Sequence, residues 1–165
     1  MTALLKSLKN EKYFSTTRVR MFSTTIDKIL RKDADTCSIY IGSKARDELP
    51  NIVYPTCFVL NTHPRDKQGE HWLALYFNKD KKCFFFDSYG NHPSFFGLST
   101  YIKDNSLHFS YNNRRIQGES RFCGIYCCLF LIFASKNKLK IFYENFYNDE
   151  KLNDLLIQKY FLNFK

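Results

Sequence analysis

Gln117-Gly118-Glu119-Ser120-Arg121-Phe122-Cys123-Gly124-Ile125-Tyr126-Cys127-Cys128 leads directly into Leu129-Phe130-Leu131-Ile132-Phe133-Ala134. The stretch is polar and glycine-containing up to Cys123 and almost wholly apolar beyond it. That change predicts a loop delivering one cysteine to the N-terminus of a buried helix. The apolar run is short of the ~20 residues a membrane-spanning helix needs, so it reads as a core helix. First-turn amide N–H groups and the helix dipole favour negative charge, and the thiolate is the nucleophilic form of cysteine. Cys123 is therefore the candidate nucleophile, weighed against the commoner role of a cysteine as a small core hydrophobe. Cys127 and Cys128, within the helix, are assigned that packing role.

A nucleophilic cysteine needs a base, a group that orients the base, and donors for the oxyanion. Working outward, His71 opens Glu70-His71-Trp72-Leu73-Ala74-Leu75-Tyr76-Phe77, apolar enough for a strand covered on both faces. Lys79-Asp80-Lys81-Lys82 is a polar turn and Cys83-Phe84-Phe85-Phe86 a second strand, closed by Asp87. Such a hairpin brings His71, at the start of one strand, near Asp87, at the end of the next, where a carboxylate can hold an imidazole tautomer. The bland alternative is that His71 ends a strand and Asp87 begins the turn Asp87-Ser88-Tyr89-Gly90. Gln117 is a neutral amide that can donate N–H to a developing oxyanion, with the backbone N–H of Cys123 as the second donor. On its own it would pass for a loop glutamine.

His71-Trp72, a strand ending in an acidic residue before Tyr89-Gly90, Gln117-Gly118, and Cys123-Gly124 followed by Cys127-Cys128 together resemble the adenovirus-type maturation proteases. Their relatives occur in Maverick/Polinton elements and virophages, and the same clan includes the SUMO-processing proteases. Asn61-Thr62 and the loop running to His71 carry the resemblance further, over residues 24 to 135. It implies Cys123 as nucleophile, His71 as base, Asp87 as orienter and Gln117 as oxyanion donor. Two departures point toward the SUMO-processing branch: the acid is aspartate rather than glutamate, and the Gln117-to-Cys123 loop has that branch's spacing. In the adenovirus enzymes a short viral peptide activates through a disulfide to a cysteine upstream of the glutamine. The corresponding Asn105-Ser106-Leu107-His108 has none, so the resemblance leaves a non-covalent activating peptide, or DNA, as the cofactor to expect; the sequence itself requires none.

A length of 165 residues fits one domain with a proper core, and an aromatic content of 18% says that core rests on rings. The six cysteines, at 37, 57, 83, 123, 127 and 128, have no zinc-type spacing, and no signal peptide is read, so free thiols in a reducing compartment are expected. Residues 1–22 read as a basic extension: Lys6, Lys9, Lys12, Arg18 and Arg20 against Glu11 give +4 of the formal +9. A solvated tail is preferred there over a nucleic-acid arm, and that over a mitochondrial-type transit peptide. Phe14-Ser15-Thr16-Thr17 recurs as Phe22-Ser23-Thr24-Thr25, a duplication on which nothing is built.

The protease domain is expected over residues 23–165. Thr24 and Asp27 resemble a capping box before a short helix with Ile26, Ile29 and Leu30 on one face. Ser38–Gly42 and Thr56–Leu60 read as strands, and the loop from Asn61 to Glu70 as one wall of the substrate cleft. After Asn91-His92-Pro93, the residues Phe95, Phe96, Leu98, Tyr101 and Ile102 fit one apolar helix face. His92 is a rival base without an orienting carboxylate, while His63 and His108 are read as structural. Phe109-Ser110-Tyr111 should be a strand, with His108 alternating between Leu107 and Phe109, and residues 149–161 a closing amphipathic helix with Leu152, Leu155, Leu156, Lys159 and Tyr160 at helical spacing.

The fold expected is α+β, a papain-like-clan cysteine peptidase with a central buried helix carrying the nucleophile, packed on a mostly antiparallel sheet. The expected function is a monomeric cysteine endopeptidase. By resemblance it cleaves a viral or element-encoded capsid or core precursor near glycines, in the virion or at the intracellular site of assembly, with no membrane partner. One rival is a deconjugase for ubiquitin-like modifiers; the other is a basic nucleic-acid-binding module.

Overall fold

The computed structural model describes residues 21–163, so the basic segment expected at the N-terminus lies outside the described residues except for Met21 and Phe22. In chain order the elements are α1 (Ser23–Lys32), β1 (Tyr40–Lys44), β2 (Thr56–Asn61), β3 (Trp72–Phe77), β4 (Lys82–Phe86), α2 (Ser99–Asp104), β5 (His108–Tyr111), α3 (Cys123–Ser135), α4 (Leu139–Glu144) and α5 (Glu150–Asn163). The strands form one sheet in sequence order. β2, β3 and β4 are antiparallel, and the edge strands β1 and β5 join them parallel. The architecture is the expected α+β arrangement, with the parallel edges added.

Period-two alternation sorts the side chains of the central strands onto two faces. Cys57, Val59, Ala74 and Phe86 lie in the core under α3, with Ile26 and Leu30 of α1 and Phe142 of α4. Phe58, Leu60, Leu73, Leu75, Phe77 and Phe85 point the other way, against Phe96, Leu98 and Ile102. Because both faces are covered, β2 and β3 read as continuous apolar runs. On the α3 side Phe86 stacks on Phe130 at a centroid separation of 4.7 Å and meets Phe142 edge-on at 5.5 Å. Such aromatic pairs contribute about 0.5–1.5 kcal/mol beyond the area they bury.

Three local expectations are corrected. The capping box does not form: Phe22 occupies the N-cap of α1 without a side-chain bond, and Asp27 instead accepts from Tyr40 Oη at 2.7 Å and from the Ser43 amide at 2.9 Å. The long helix expected after Pro93 is broken into a 3-10 turn, Pro93–Phe96, and the six-residue α2. Gly97 separates them in the left-handed region at φ 67°, which glycine enters at no steric cost, and Phe95 is left exposed. Finally, of the residues expected at helical spacing in α5 only Leu156 is buried, beside Asn153 and Ile157, while Leu152, Leu155 and Lys159 are half-buried and the side chain of Tyr160 lies outside the described residues.

The β3–β4 hairpin is the element that positions the site. Its rungs run from Phe77↔Cys83 at the turn to Ala74↔Phe86 at the open end. The turn is closed by Asn78, whose amide donates to Lys82 O at 3.0 Å and whose Oδ1 accepts from the Lys82 amide at 2.8 Å. His71 and Asp87 flank the open end.

Candidate active site

Asp87 follows β4 and is completely buried. Burial alone would favour the neutral acid, so its charge has to be met by donors. It is: Oδ1 accepts from His71 Nε2 at 2.6 Å and from the Tyr89 amide at 3.1 Å, and Oδ2 from the Asn91 amide at 3.0 Å and Asn91 Nδ2 at 2.8 Å. Against the burial, His71 and these amides hold the carboxyl below its ordinary range. The backbone is pinned as firmly, for Asn112 Oδ1 accepts from the Asp87 amide at 3.0 Å while Asn112 Nδ2 donates to the Asp87 carbonyl. Gly90 makes the turn possible: its φ is +77°, and a Cβ there would lie 2.6 Å from the Arg114 carbonyl carbon.

His71 precedes β3 with its side chain 13% exposed. Nε2 belongs to Asp87, which leaves Nδ1 for a second partner. Its ring stacks on Tyr89 at 5.0 Å, and Tyr89 carries the Arg115 guanidinium on its face at 4.9 Å. Burial works against the imidazolium, but hydrogen bonds and charge from Asp87 and the Cys123 sulfur outweigh it and raise the pKa to about 9.

Cys123 is the first residue of α3, after Phe122. The Phe122 carbonyl accepts the first helical bonds, from Ile125 at 2.8 Å and Tyr126 at 3.0 Å. The Cys123 amide therefore has no intrahelical acceptor and belongs to the unpaired donors that open a helix. The neighbouring glycine and tryptophan set the distance between helix and strand. A Cβ on Gly124 would lie 2.8 Å from Met21 Cβ, 3.1 Å from Ile26 Cδ1 and 3.3 Å from Trp72 Cδ1. Trp72 Nε1 donates to Met21 O at 3.1 Å, and Cys127 Sγ to Trp72 O at 3.3 Å. Trp72 thus docks on α3 one residue from the histidine and one from the cysteine, which gives the His-Trp and Cys-Gly pairs a steric reason. Cys127 and Cys128 are buried, with thiols pushed up by desolvation, as suits packing residues.

Gln117 is 1% exposed and lines the same cleft as His71 and Cys123. Its amide orientation follows from its neighbours, since the Ser120 carbonyl can only accept. Nε2 donates to it at 2.7 Å, and Oε1 accepts from Ser88 Oγ at 2.6 Å. The second N–H has only a long contact, 3.4 Å, with Tyr89 Oη. The cleft, of about 1210 Å³, runs from this point along the loop between Asn61 and Glu70.

Thus the four residues singled out from the sequence converge; His63 lines the Asn61-to-Glu70 wall of the same cleft, and His92 and His108 lie elsewhere. His92 caps the 3-10 turn through Ser94, and His63 is held by Gln68 O at 2.7 Å and Glu70 at 2.9 Å. His108 is exposed on β5. Sequence reading passed over Asn91 and Asn112; their only signal was asparagine in turn-like runs, which cannot be told from ordinary turn chemistry. Among the described residues no cluster of three or more His, Cys, Asp or Glu side chains could hold a metal, and no helix is long and apolar enough to cross a membrane.

Residues 49–153, which contain all four site residues, match the family model for the adenovirus endoprotease. The protease of human adenovirus B serotype 3 is 28% identical over 113 residues, covering 58% of this chain and 54% of that protein. That of bovine adenovirus 2 is 30% identical over 90 residues, 46% of this chain and 44% of that protein. The chain therefore spans about half the length of the adenovirus relatives it matches. Among solved structures, the ASFV protease superposes with a TM-score of 0.58 over 86% of this chain and 67% of that one at 16% identity, a likeness of fold. A family match over most of the chain that takes in the cysteine, the histidine, the aspartate and the glutamine leaves one assignment: this protein belongs to the adenovirus endoprotease family.

Proposed function

We propose that the chain is a cysteine endopeptidase of virion maturation, cleaving a capsid or core precursor near glycines, with Cys123 as nucleophile, His71 as base and acid, Asp87 as orienter, and Gln117 and the Cys123 amide as oxyanion donors. The observation that carries this reading is the saturated Asp87 carboxylate bonded to His71 at 2.6 Å, with that imidazole interacting with a cysteine at a helix N-terminus. A histidine whose pKa is raised to about 9 is protonated at neutral pH and so carries the proton that a leaving nitrogen needs.

In this mechanism the Cys123 sulfur attacks the scissile carbonyl carbon, and the oxygen becomes an oxyanion facing the Gln117 amide and the Cys123 N–H. The His71 imidazolium gives its proton to the leaving nitrogen as the C–N bond breaks. Neutral His71 then takes a proton from water, which attacks the thioester and releases Cys123. Asp87 holds the ring in one tautomer and stabilises its charge throughout. The preference for glycine near the scissile bond comes from the family resemblance, as does action within virions or infected cells.

Cys123→Ala should abolish cleavage of a glycine-containing precursor peptide at unchanged melting temperature; retained turnover overturns the reading. Asp87 in place of glutamate and the Gln117-to-Cys123 spacing favour a second reading, removal of ubiquitin-like modifiers. Turnover of SUMO or ubiquitin adducts in preference to the precursor would establish it. The formal charge of +9 suits a polyanionic cofactor, and a non-covalent peptide is the alternative activator. Rates measured with DNA and with candidate peptides separate the two.

A further inference from the structure

Gln117 can serve as an oxyanion donor only while its amide is aimed, and its aim depends on a residue far along the chain. Nε2 is directed by the Ser120 carbonyl at 2.7 Å. Ser120 is held through its backbone: its hydroxyl is the one buried side-chain polar atom among the described residues with no hydrogen-bond partner. The Ser120 amide donates to Asp154 Oδ2 at 3.2 Å, and Asp154 Oδ1 accepts from Tyr126 Oη at 3.0 Å. One carboxylate of α5 thus ties the loop carrying the glutamine to the helix carrying the nucleophile. The residue before it fastens the other end of the loop to α5, with fully buried Asn153 donating through Nδ2 to Ile116 O at 3.0 Å.

The loop is shaped to receive this helix. A Cβ on Gly118 would lie 2.7 Å from Asp154 Oδ2 and 3.3 Å from Glu150 O, so the glycine after Gln117 is where α5 comes closest. From the outer side Arg115 Nε donates to Gln117 O at 2.8 Å and its Nη2 to Gly118 O at 3.1 Å. Carbonyls are therefore held by an arginine on one side and an amide by an aspartate on the other.

We propose that Asp154 is a positioning residue for the oxyanion donor: it fixes the Ser120 peptide, and Ser120 aims the Gln117 amide into the cleft. The inference rests on the reading of Gln117 as that donor. Losing one oxyanion donor typically costs about 10²–10³ in kcat, and a donor present but misaimed costs less, about tenfold.

Asp154→Ala is the test in the full chain, because it removes both carboxylate oxygens and with them the acceptors for the Ser120 amide and the Tyr126 hydroxyl. Expected are a kcat lower by about tenfold with KM within about twofold, and a similar weakening of a peptide-aldehyde inhibitor, whose tetrahedral adduct needs the same donors. The rate of Cys123 alkylation by iodoacetamide, which needs the thiolate but no oxyanion donor, should not change. In a Gln117→Ala background the same substitution should cost nothing further. Should Asp154→Ala fail to fold, Tyr126→Phe carries the test: it loosens Asp154 while sparing the Ser120 contact, with the same pattern expected at about threefold. A normal kcat in the variant that folds, beside a crippled Gln117→Ala, overturns the role of Asp154. So does an alkylation rate that falls in step with kcat. Full turnover in Gln117→Ala itself overturns the donor assignment instead.

Discussion

On one side of the cleft, the turn from Asp87 to Asn91 and the segment from Asn112 to Ser120 are joined by bonds between groups that water barely reaches. Asp87 is fully buried and Gln117 is 1% exposed. On the other side, the loop between Asn61 and Glu70 is braced at the surface by Arg65 against Glu48 and by His63 against Glu70, with the Arg65 and Glu70 side chains each 73% exposed. Buried charge-assisted bonds hold geometry closely and are costly to break, whereas exposed pairs are screened and contribute little. The first wall is thus held rigidly, and the second is free to adapt, which under the proposed function suits a fixed catalytic side facing a variable polypeptide.

The largest test of that contrast is Asp87→Asn, which keeps the shape of the buried wall and removes its charge. Turnover at pH 7 should fall by about 10²–10⁴. The pH profile carries the sign. His71 is raised to about 9, so the imidazolium that the proposed mechanism uses as acid, and the stability it lends, are present below its ordinary 6.5 and lost as pH rises through about 9. Asp87 is lowered, so its contribution is present above 3.8 and lost as pH falls below that value. The native alkaline limb should therefore lie near 9 and move toward acid in the variant. Gln117→Glu comes next: it exchanges a donor for an anion at the oxyanion position and should lower kcat by about 10²–10³, read as a kcat loss at little-changed KM.

Asn112→Ala probes the buried wall through stability. It leaves the Asp87 amide without its partner, while the carbonyl keeps the Gly90 amide, for a loss of about 1–3 kcal/mol by denaturant titration. The smallest effect belongs to the exposed wall. Glu48→Gln should change kcat by less than about twofold, and added salt should erase any difference from the native protein. A large kcat loss there would mean that the two walls are not built differently after all.

Much of the buried wall was legible from residue order. The switch from polar to apolar at Cys123 marks the start of α3, and two apolar runs around a lysine-rich turn mark the hairpin that brings His71 to Asp87. These are local patterns, and local patterns can be read without knowing the partner. What could not be read depends on distant residues. The parallel pairing of β1 and β5 is set by what lies beside them, not by their own composition. Asp27 was expected at a helix cap, but Tyr40 and the Ser43 amide, which lie far away until the chain folds, bind it instead. The apolar residues from Phe95 to Ile102 matched a helix, and Gly97 divides them because the chain turns there over the second core. In α5 the leucines carry the helical spacing, while Asn153 and Asp154 make the contacts with Ile116 and Ser120.

The hairpin turn at Asn78–Lys81 sits at the end of the ladder opposite the histidine and the carboxylate, with the rungs from Phe77↔Cys83 to Ala74↔Phe86 between. Length added between Lys79 and Asp80 is therefore insulated from the dyad by paired backbone, whereas a single residue inserted within β3 or β4 would turn every side chain beyond it to the opposite face. An epitope or fluorophore for following this protein belongs at that tip.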